Sequence, residues 1–336
     1  MCGIFGIFGN TDASVNTALG LHALQHRGQE GGGIASWDNG LHSCHDTGRI
    51  GEIFSDHNIL AQLPGTMAVG HVRYSTTGGS GHANIQPLKG NFDFGEFALV
   101  HNGDITNFVK LKQQLVHKGS LFQTTGDTEV ILHLMAMQPD SAFNKFQNAL
   151  KRVEGAFSII AMCDDRMFVA RDPHGFRPLV MGTLGDGYVF ASETCALDII
   201  GAEYKRDINP GEVLIVSGQH ITSTYPFLQR PAKFCVFEHI YFSRPDSIYG
   251  EHVVYDVRKR IGVELAKESS VETDVVIPVP DSGVPSALGY ALETNIPFEM
   301  GITRSHYRGR TFIQPEQKIR DLGVKLKHNA LRSLKG

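Results

Sequence analysis

Apolar residues alternate with polar or small ones through several short stretches of this chain and recur every three or four positions through others. These are the periods of strands and helices. CGIFGIFG, at 2–9, predicts a strand whose glycines allow close backbone approach. GGIASW, TMAVGHVRY and EFALVHNG predict strands that end in polar residues, and AFSIIAMC, RMFVA, GYVFAS and GEVLIV predict four more. Between them, DASVNTALGLHALQHRG predicts a helix capped by Asp12, with Val15, Leu19 and Leu24 near one face and Gly28 as its stop. NFVKLKQQLVHKG predicts a second, with Asn107 as cap and Phe108, Leu111 and Leu115 inward. DTEVILHLMAM predicts a helix from Asp127, whose carboxylate suits the positive end of the helix dipole, and SAFNKFQNALKRV another. Strands alternating with helix pairs predict sheets covered by helices.

Periodicity loosens at TYPFLQRPAKFC, residues 224–235, which places a domain boundary there, with domains over 2–228 and 236–336. A long helix follows in YGEHVVYDVRKRIGVELAKES, with Val253, Val257, Ile261 and Leu265 spaced by four. TDVVIPVPDSG is a continuous apolar run ending in a turn, the pattern of a buried parallel strand. A helix (VPSALGYALE) and a strand (PFEMGI) complete a right-handed α/β unit.

Composition narrows the class. The chain has 336 residues, 41% of them hydrophobic, and a formal net charge of −4, which argues against a general nucleic-acid binder. The five cysteines, Cys2, Cys44, Cys163, Cys195 and Cys235, show no paired spacing, which suggests a reducing compartment. The first apolar stretch is short, glycine-broken and without a basic leader, and no apolar run approaches the ~20 residues of a membrane helix. A soluble, cytoplasmic protein with no membrane partner is expected.

Cys2 stands directly behind the initiator methionine. It is either an ordinary cysteine entering a strand or, once Met1 is removed, a thiol sharing its residue with a free α-amine. The thiol has a reference pKa of about 8.5 and the amine one of about 7.7–8.0, so the amine can act as the thiol's base, directly or through a water. Other residues carry paired readings too. Arg73 is a surface arginine or an anion clamp, and Asp127 caps a helix or binds a cation. Asn102-Gly103 is a common hairpin-turn dipeptide or a pair of oxyanion donors. His22 and His26 lie four apart, but no glutamate lies between them as the base of a zinc protease, and no third ligand is evident. HSCH at 42–45 lacks a matching second half, so an exposed loop is expected rather than a metal site.

MCGIFGI, LQHRGQEGGGIA, GHVRYSTTG, LVHNGDITN and TTGDTEV occur in that order, with RDPHGFRPLV and ASETCALD after them. Together they resemble the glutaminase domain of the class II glutamine amidotransferases, N-terminal nucleophile hydrolases. EHIYFSRPDS, VVIPVPDSG and RGRTFIQP resemble the amidophosphoribosyltransferase family. Glucosamine-phosphate synthase and asparagine synthetase share the N-terminal pattern, but PVPDSG and RTFIQP do not suit their second domains.

The resemblance implies an α+β / α/β chain: a four-layer αββα glutaminase domain, then a type I phosphoribosyltransferase α/β domain. Cys2 would attack the glutamine side-chain amide, with Asn102 and Gly103 as the oxyanion hole. Arg73 would clamp the α-carboxylate and Asp127 the α-ammonium, with His26 and Arg27 in the pocket wall and Tyr74 near the ammonia route. On the phosphoribosyl pyrophosphate side, Asp281, Ser282 and Gly283 would hold pyrophosphate. Arg304, Tyr307, Arg308, Arg310 and Lys318 would belong to the loop that closes over that substrate; read alone, they form a solvated basic loop. The family also implies Mg²⁺ bound through phosphoribosyl pyrophosphate, and a homo-oligomer, often a tetramer.

One departure stands out. Family members carry, after that loop, a strand ending in two acidic residues and a Gly-Thr-Thr turn, and this sequence shows neither. The transferase half is therefore expected to be incomplete. Cys235 matches the first of four [4Fe–4S] ligands in some members; Cys44, Cys163 and Cys195 match none, so no complete cluster is expected. Removal of one methionine should suffice for maturation. Three activities follow as alternatives: full transfer of ammonia from glutamine to phosphoribosyl pyrophosphate, glutamine hydrolysis alone, or a non-catalytic partner of intact subunits.

Overall fold

The computed structural model describes residues 2–75, 79, 81–305 and 317–332. The chain forms two compact units, Met1–Val236 and Phe237–Gly336. In chain order the first carries β1 (Gly3–Phe8), α1 (Ala13–Ala23), β2 (Gly31–Trp37), β3 (Leu41–Thr47), α2 (Ile50–Ile53), α3 (His57–Ala61) and β4 (Met67–Arg73). Next come β5 (Leu88–Phe92), β6 (Gly95–Ile105), α4 (Phe108–His117), α5 (Glu129–Ala136), α6 (Ala142–Leu150), β7 (Gly155–Cys163) and β8 (Arg166–Arg171). The unit closes with β9 (Val180–Leu184), β10 (Gly187–Ala191), α7 (Cys195–Asp198), β11 (Glu203–Asp207), β12 (Val213–Ser217) and β13 (His220–Thr224).

Seven strands form one sheet in the order β11-β9-β10-β1-β4-β2-β3, and six form another, β13-β12-β8-β7-β6-β5. All their pairings are antiparallel. Alternation along the strands builds the layers. Ile4, Val69, Val100, Ile160 and Val169 point into a core shared by the two sheets. Their neighbours Phe5, Ile7, Ala68 and Val72 pack on the other face with Leu21 of α1 and Leu197 of α7. Leu99, Ile159 and Phe168 pack with residues of α4, α5 and α6. The result is helix, sheet, sheet, helix, held by apolar burial worth about 1.5–3 kcal/mol per large side chain.

Several local expectations need correction. Val15 and Leu19 of α1 are exposed; its inward face is Ala13, Ser14, Thr17, Gly20 and Leu21. Small residues serve because α1 lies close on the sheet: a Cβ on Gly20 would stand 2.4 Å from the Phe5 ring. Asn102-Gly103 is no turn but mid-strand in β6, opposite Ser158 and Phe157. The 42–45 stretch is no loop but part of β3, paired along β2. The helix expected from Asp127 begins at Glu129, because the Asp127 carboxylate turns back to β6.

The second unit holds β14 (Ile248–Tyr249), β15 (His252–Val253), α8 (Val254–Glu268), α9 (Val284–Thr294), β16 (Ile302–Arg304), α10 (Gln317–Lys327) and β17 (His328–Ala330). The buried face of α8 is Val254, Arg258, Gly262 and Ala266, one residue on from the expected stripe; Ile261 and Leu265 are exposed. Gly262 decides this: a Cβ there would lie 1.9 Å from the Ser286 carbonyl oxygen of α9. The expected buried strand at 275–279 reduces to one parallel bridge, Val276 to Phe298, with Ile277 and Val279 exposed. Among the described residues, no neighbour covers its second edge.

Candidate functional site

The site forms where β6 outruns its neighbour. β5 pairs with β6 only from Gly95 to Leu99, whereas β7 pairs with it from Ala98 to Ile105. The β5-side edge of β6 is therefore open beyond residue 99. Alternate N–H groups of a strand face the same edge. At that edge His101 N–H donates to Gln86 Oε1 at 2.7 Å, and Ile105 N–H to Asp127 Oδ2 at 2.8 Å. Gly103 lies between them. Its partner across β7 is Phe157, whose N–H and C=O are both engaged by Asp172. The Gly103 pair is thus a non-hydrogen-bonded one, and its N–H faces the open edge. Glycine is needed here: a Cβ would stand 2.0 Å from the Ala156 carbonyl oxygen.

Cys2 comes to this edge from the start of β1. Its backbone nitrogen donates to Asn102 Oδ1 at 3.3 Å, and its thiol lies 3.5 Å from the Tyr74 carbonyl oxygen. The Asn102 side chain is fully buried, and among the described residues its Nδ2 has no hydrogen-bond partner. A buried amide nitrogen without an acceptor costs about 1–3 kcal/mol, a cost that a bound acceptor removes.

Arg73 ends β4 and is buried. Its Nη1 donates to the Asn84 carbonyl at 2.9 Å and Nη2 to the Gly79 carbonyl at 3.0 Å, leaving each terminal nitrogen one further hydrogen. Asn84 then reaches the segment before Asp127. Its Oδ1 accepts from the N–H groups of Thr125 and Gly126, both at 3.0 Å, and its Nδ2 donates to Thr125 Oγ1 at 2.9 Å. Gln86, His101 and Thr128 brace Asp127 from behind: His101 Nδ1 and Gln86 Nε2 lie 3.0 and 3.1 Å from Thr128 Oγ1. Beside Arg73, His71 is wholly buried; burial first, then the Arg73 charge, lower its pKa to about 3.

Arg27 is buried behind Cys2, and His26 beside it is half-buried. Arg27 is fully buried; its Nε donates to the Cys2 carbonyl at 3.0 Å and its Nη1 to Glu193. His26 Nε2 lies 2.7 Å from the same Glu193 oxygen. The structure thus brings Cys2, Asn102, Gly103, Tyr74 and Arg27 together, and links Arg73 to Asp127 through Asn84. Sequence reasoning passed over Asn84, Gln86, Thr128 and Glu193. Glu193 does lie in ASETCALD, one of the motifs that carried the resemblance, but was given no role there.

In the second unit Asp281, Ser282 and Gly283 lead into the N-terminal end of α9, and Arg304 is ion-paired with Asp281. Lys318 lies in α10, while Tyr307, Arg308 and Arg310 lie outside the described residues. Cys235 is half-buried, 3.8 Å from Arg177 Nη1, and among the described residues no group of three His, Cys, Asp or Glu could hold a metal ion. No described helix is long and apolar enough to cross a membrane.

Residues 71–198 match the glutamine amidotransferase domain. The chain is 50% identical to an amidophosphoribosyltransferase of Rhizobium etli, over 99% of its own length and 68% of that protein. It is 46% identical to the Bacillus subtilis protein of the same name, over 99% and 70%. A solved structure, glutamine phosphoribosylpyrophosphate amidotransferase from B. subtilis complexed with ADP and GMP, superposes with a TM-score of 0.91 at 45% identity, over 99% of this chain and 73% of that one.

Proposed function

The chain belongs to the amidophosphoribosyltransferase family, and we propose that it takes ammonia from glutamine at Cys2 and passes it to C1 of phosphoribosyl pyrophosphate. The products are phosphoribosylamine, glutamate and pyrophosphate, the first step of purine synthesis. The observation that carries the glutaminase half is Asn102: one end of its side chain holds the Cys2 nitrogen and the other is buried with no partner among the described residues.

In this reading Met1 is removed, and the nitrogen that faces Asn102 becomes the α-amine. It takes the thiol proton as sulfur attacks the carboxamide carbon. The oxygen that gains charge is met by Asn102 Nδ2 and the Gly103 N–H, both fixed before substrate arrives. Such a donor is worth about 10²–10³ in rate. The amine then returns the proton to the departing ammonia, and water hydrolyses the thioester to glutamate. The spare Arg73 hydrogens suit an α-carboxylate, and the Asp127 carboxylate suits an α-ammonium. A simple amide lacks both groups, so a free amino acid is selected.

On the transferase side, the backbone of 281–283 at the positive end of α9 suits a pyrophosphate group, with Arg304 beside it. Mg²⁺ would arrive as the counter-ion of that substrate. A cytoplasmic location and a homo-oligomer belong to the same proposal; five free cysteines support a reducing compartment. Glutamate release with and without phosphoribosyl pyrophosphate tests the reading. Stimulation by the pyrophosphate, with phosphoribosylamine formed, is expected; equal release with no product would leave glutamine hydrolysis as the whole activity.

A further inference from the structure

We propose that Glu193 is a positioning residue for the Cys2 nucleophile, acting through Arg27. The inference rests on the glutaminase reading above. Once Met1 is gone, no upstream chain restrains Cys2. Its position then depends on its own hydrogen bonds. Asn102 holds the nitrogen. Arg27 holds the carbonyl oxygen, and so the plane of the peptide linking Cys2 to Gly3.

Arg27 is aimed from the far side of the site. The short segment between β10 and α7 folds back on the start of β1: Ser192 N–H donates to the Ile4 carbonyl at 3.0 Å, and Ile4 N–H donates to Ser192 Oγ at 3.0 Å. The next residue, Glu193, is fully buried, and its Oε1 is shared by Arg27 Nη1 and His26 Nε2. A planar guanidinium engaged at Nη1 has its Nε–H direction set by geometry. Here that direction is the Cys2 carbonyl. The carboxylate thus fixes the arginine, and the arginine fixes the residue that carries both nucleophile and base. Misplacement of a reacting group by about 1 Å can cost about 10²-fold in rate. A plain structural ion pair would stabilise the fold without this consequence.

Three variants of the full chain separate the two. Glu193→Gln keeps the shape but loses the charge. Arg27→Lys keeps a cation for Glu193 but cannot reach it and the Cys2 carbonyl together with a planar fork. Glu212→Gln breaks a different ion pair, that with Arg206, which touches neither Arg27 nor Cys2. The readouts are kcat and KM for glutamate release, the rate of Cys2 labelling by the glutamine analogue 6-diazo-5-oxonorleucine, and thermal unfolding.

Glu193→Gln and Arg27→Lys should lower kcat and the labelling rate by about tenfold or more, with glutamine KM little changed. Glu212→Gln should lower the melting temperature and leave kcat intact. Folded Glu193→Gln and Arg27→Lys proteins with parental kcat would overturn the proposal, as would losses that only track the unfolded fraction. Should Glu193→Gln fail to fold, Arg27→Lys decides alone. A parent inactive on glutamine would sink the glutaminase reading and this inference with it; an active parent with unimpaired variants would sink only the positioning role.

Discussion

The nitrogen of Cys2 lies 3.3 Å from Oδ1 of Asn102, a residue one hundred positions further along the chain. One amide thus serves the proposed base and, through Nδ2, the oxygen that gains charge. Asn102→Asp preserves the shape but puts a carboxylate oxygen where a donor stood. Steady-state kinetics should show kcat for glutamate release falling by about 10²–10³, with a smaller change in glutamine KM.

Asn84 binds the two halves of the amino-acid clamp together. Its carbonyl accepts from Arg73, and its side chain holds Thr125 and Gly126, the residues before Asp127. Asn84→Ala should raise glutamine KM by about tenfold, the worth of roughly one net hydrogen bond, while kcat at saturation stays within about twofold. A variant with parental KM would remove Asn84 from the account of specificity.

Much of this arrangement was legible in the sequence, though not where packing decided. The apolar runs in CGIFGIF and EFALVHNG found β1 and β6, because each of those strands packs both faces against an apolar layer. It missed β3, an edge strand in which LHSCHDT buries no residue fully, so polar residues carry no penalty there. The inward faces of α1 and α8 were misplaced for one reason: Gly20 and Gly262 mark close approach, and a hydrophobic stripe does not report glycines. The motifs found Cys2, Asn102 and Gly103. They did not show that Asn102-Gly103 lies mid-strand, because the open edge of β6 depends on where β5 stops. Asn84 and Glu193 act through partners distant in sequence, so even ASETCALD, which contains Glu193, does not show what that carboxylate touches.

His71 predicts acid sensitivity. Its folded-state pKa is about 3, whereas the unfolded residue titrates near its ordinary 6.5. Below the higher value the unfolded chain binds a proton that the folded one refuses. Stability is therefore full above pH 6.5 and falls as pH drops from there toward 3. The slope approaches about 1.4 kcal/mol per pH unit once pH is well below 6.5, a loss of roughly 2 kcal/mol from pH 6.5 to 4.5. Urea unfolding across that range should show this slope in the parent and a flatter one in His71→Asn.

Two helical glycines should respond in opposite ways. A side chain on Gly20 meets the Phe5 ring at 2.4 Å, whereas one on Gly51 finds nothing nearer than 3.9 Å. Gly20→Val should cost about 1–3 kcal/mol in chemical denaturation. Gly51→Ala should be neutral, or stabilising by up to about 1 kcal/mol.

The most direct test of the proposed chemistry is the intact mass of the mature chain after reaction with 6-diazo-5-oxonorleucine, with the label mapped to its residue. The account predicts a chain lacking Met1, one adduct at Cys2, and loss of glutamate release in step with labelling. A chain that keeps Met1 yet hydrolyses glutamine at full rate, or inactivation with the adduct on another residue, would contradict it.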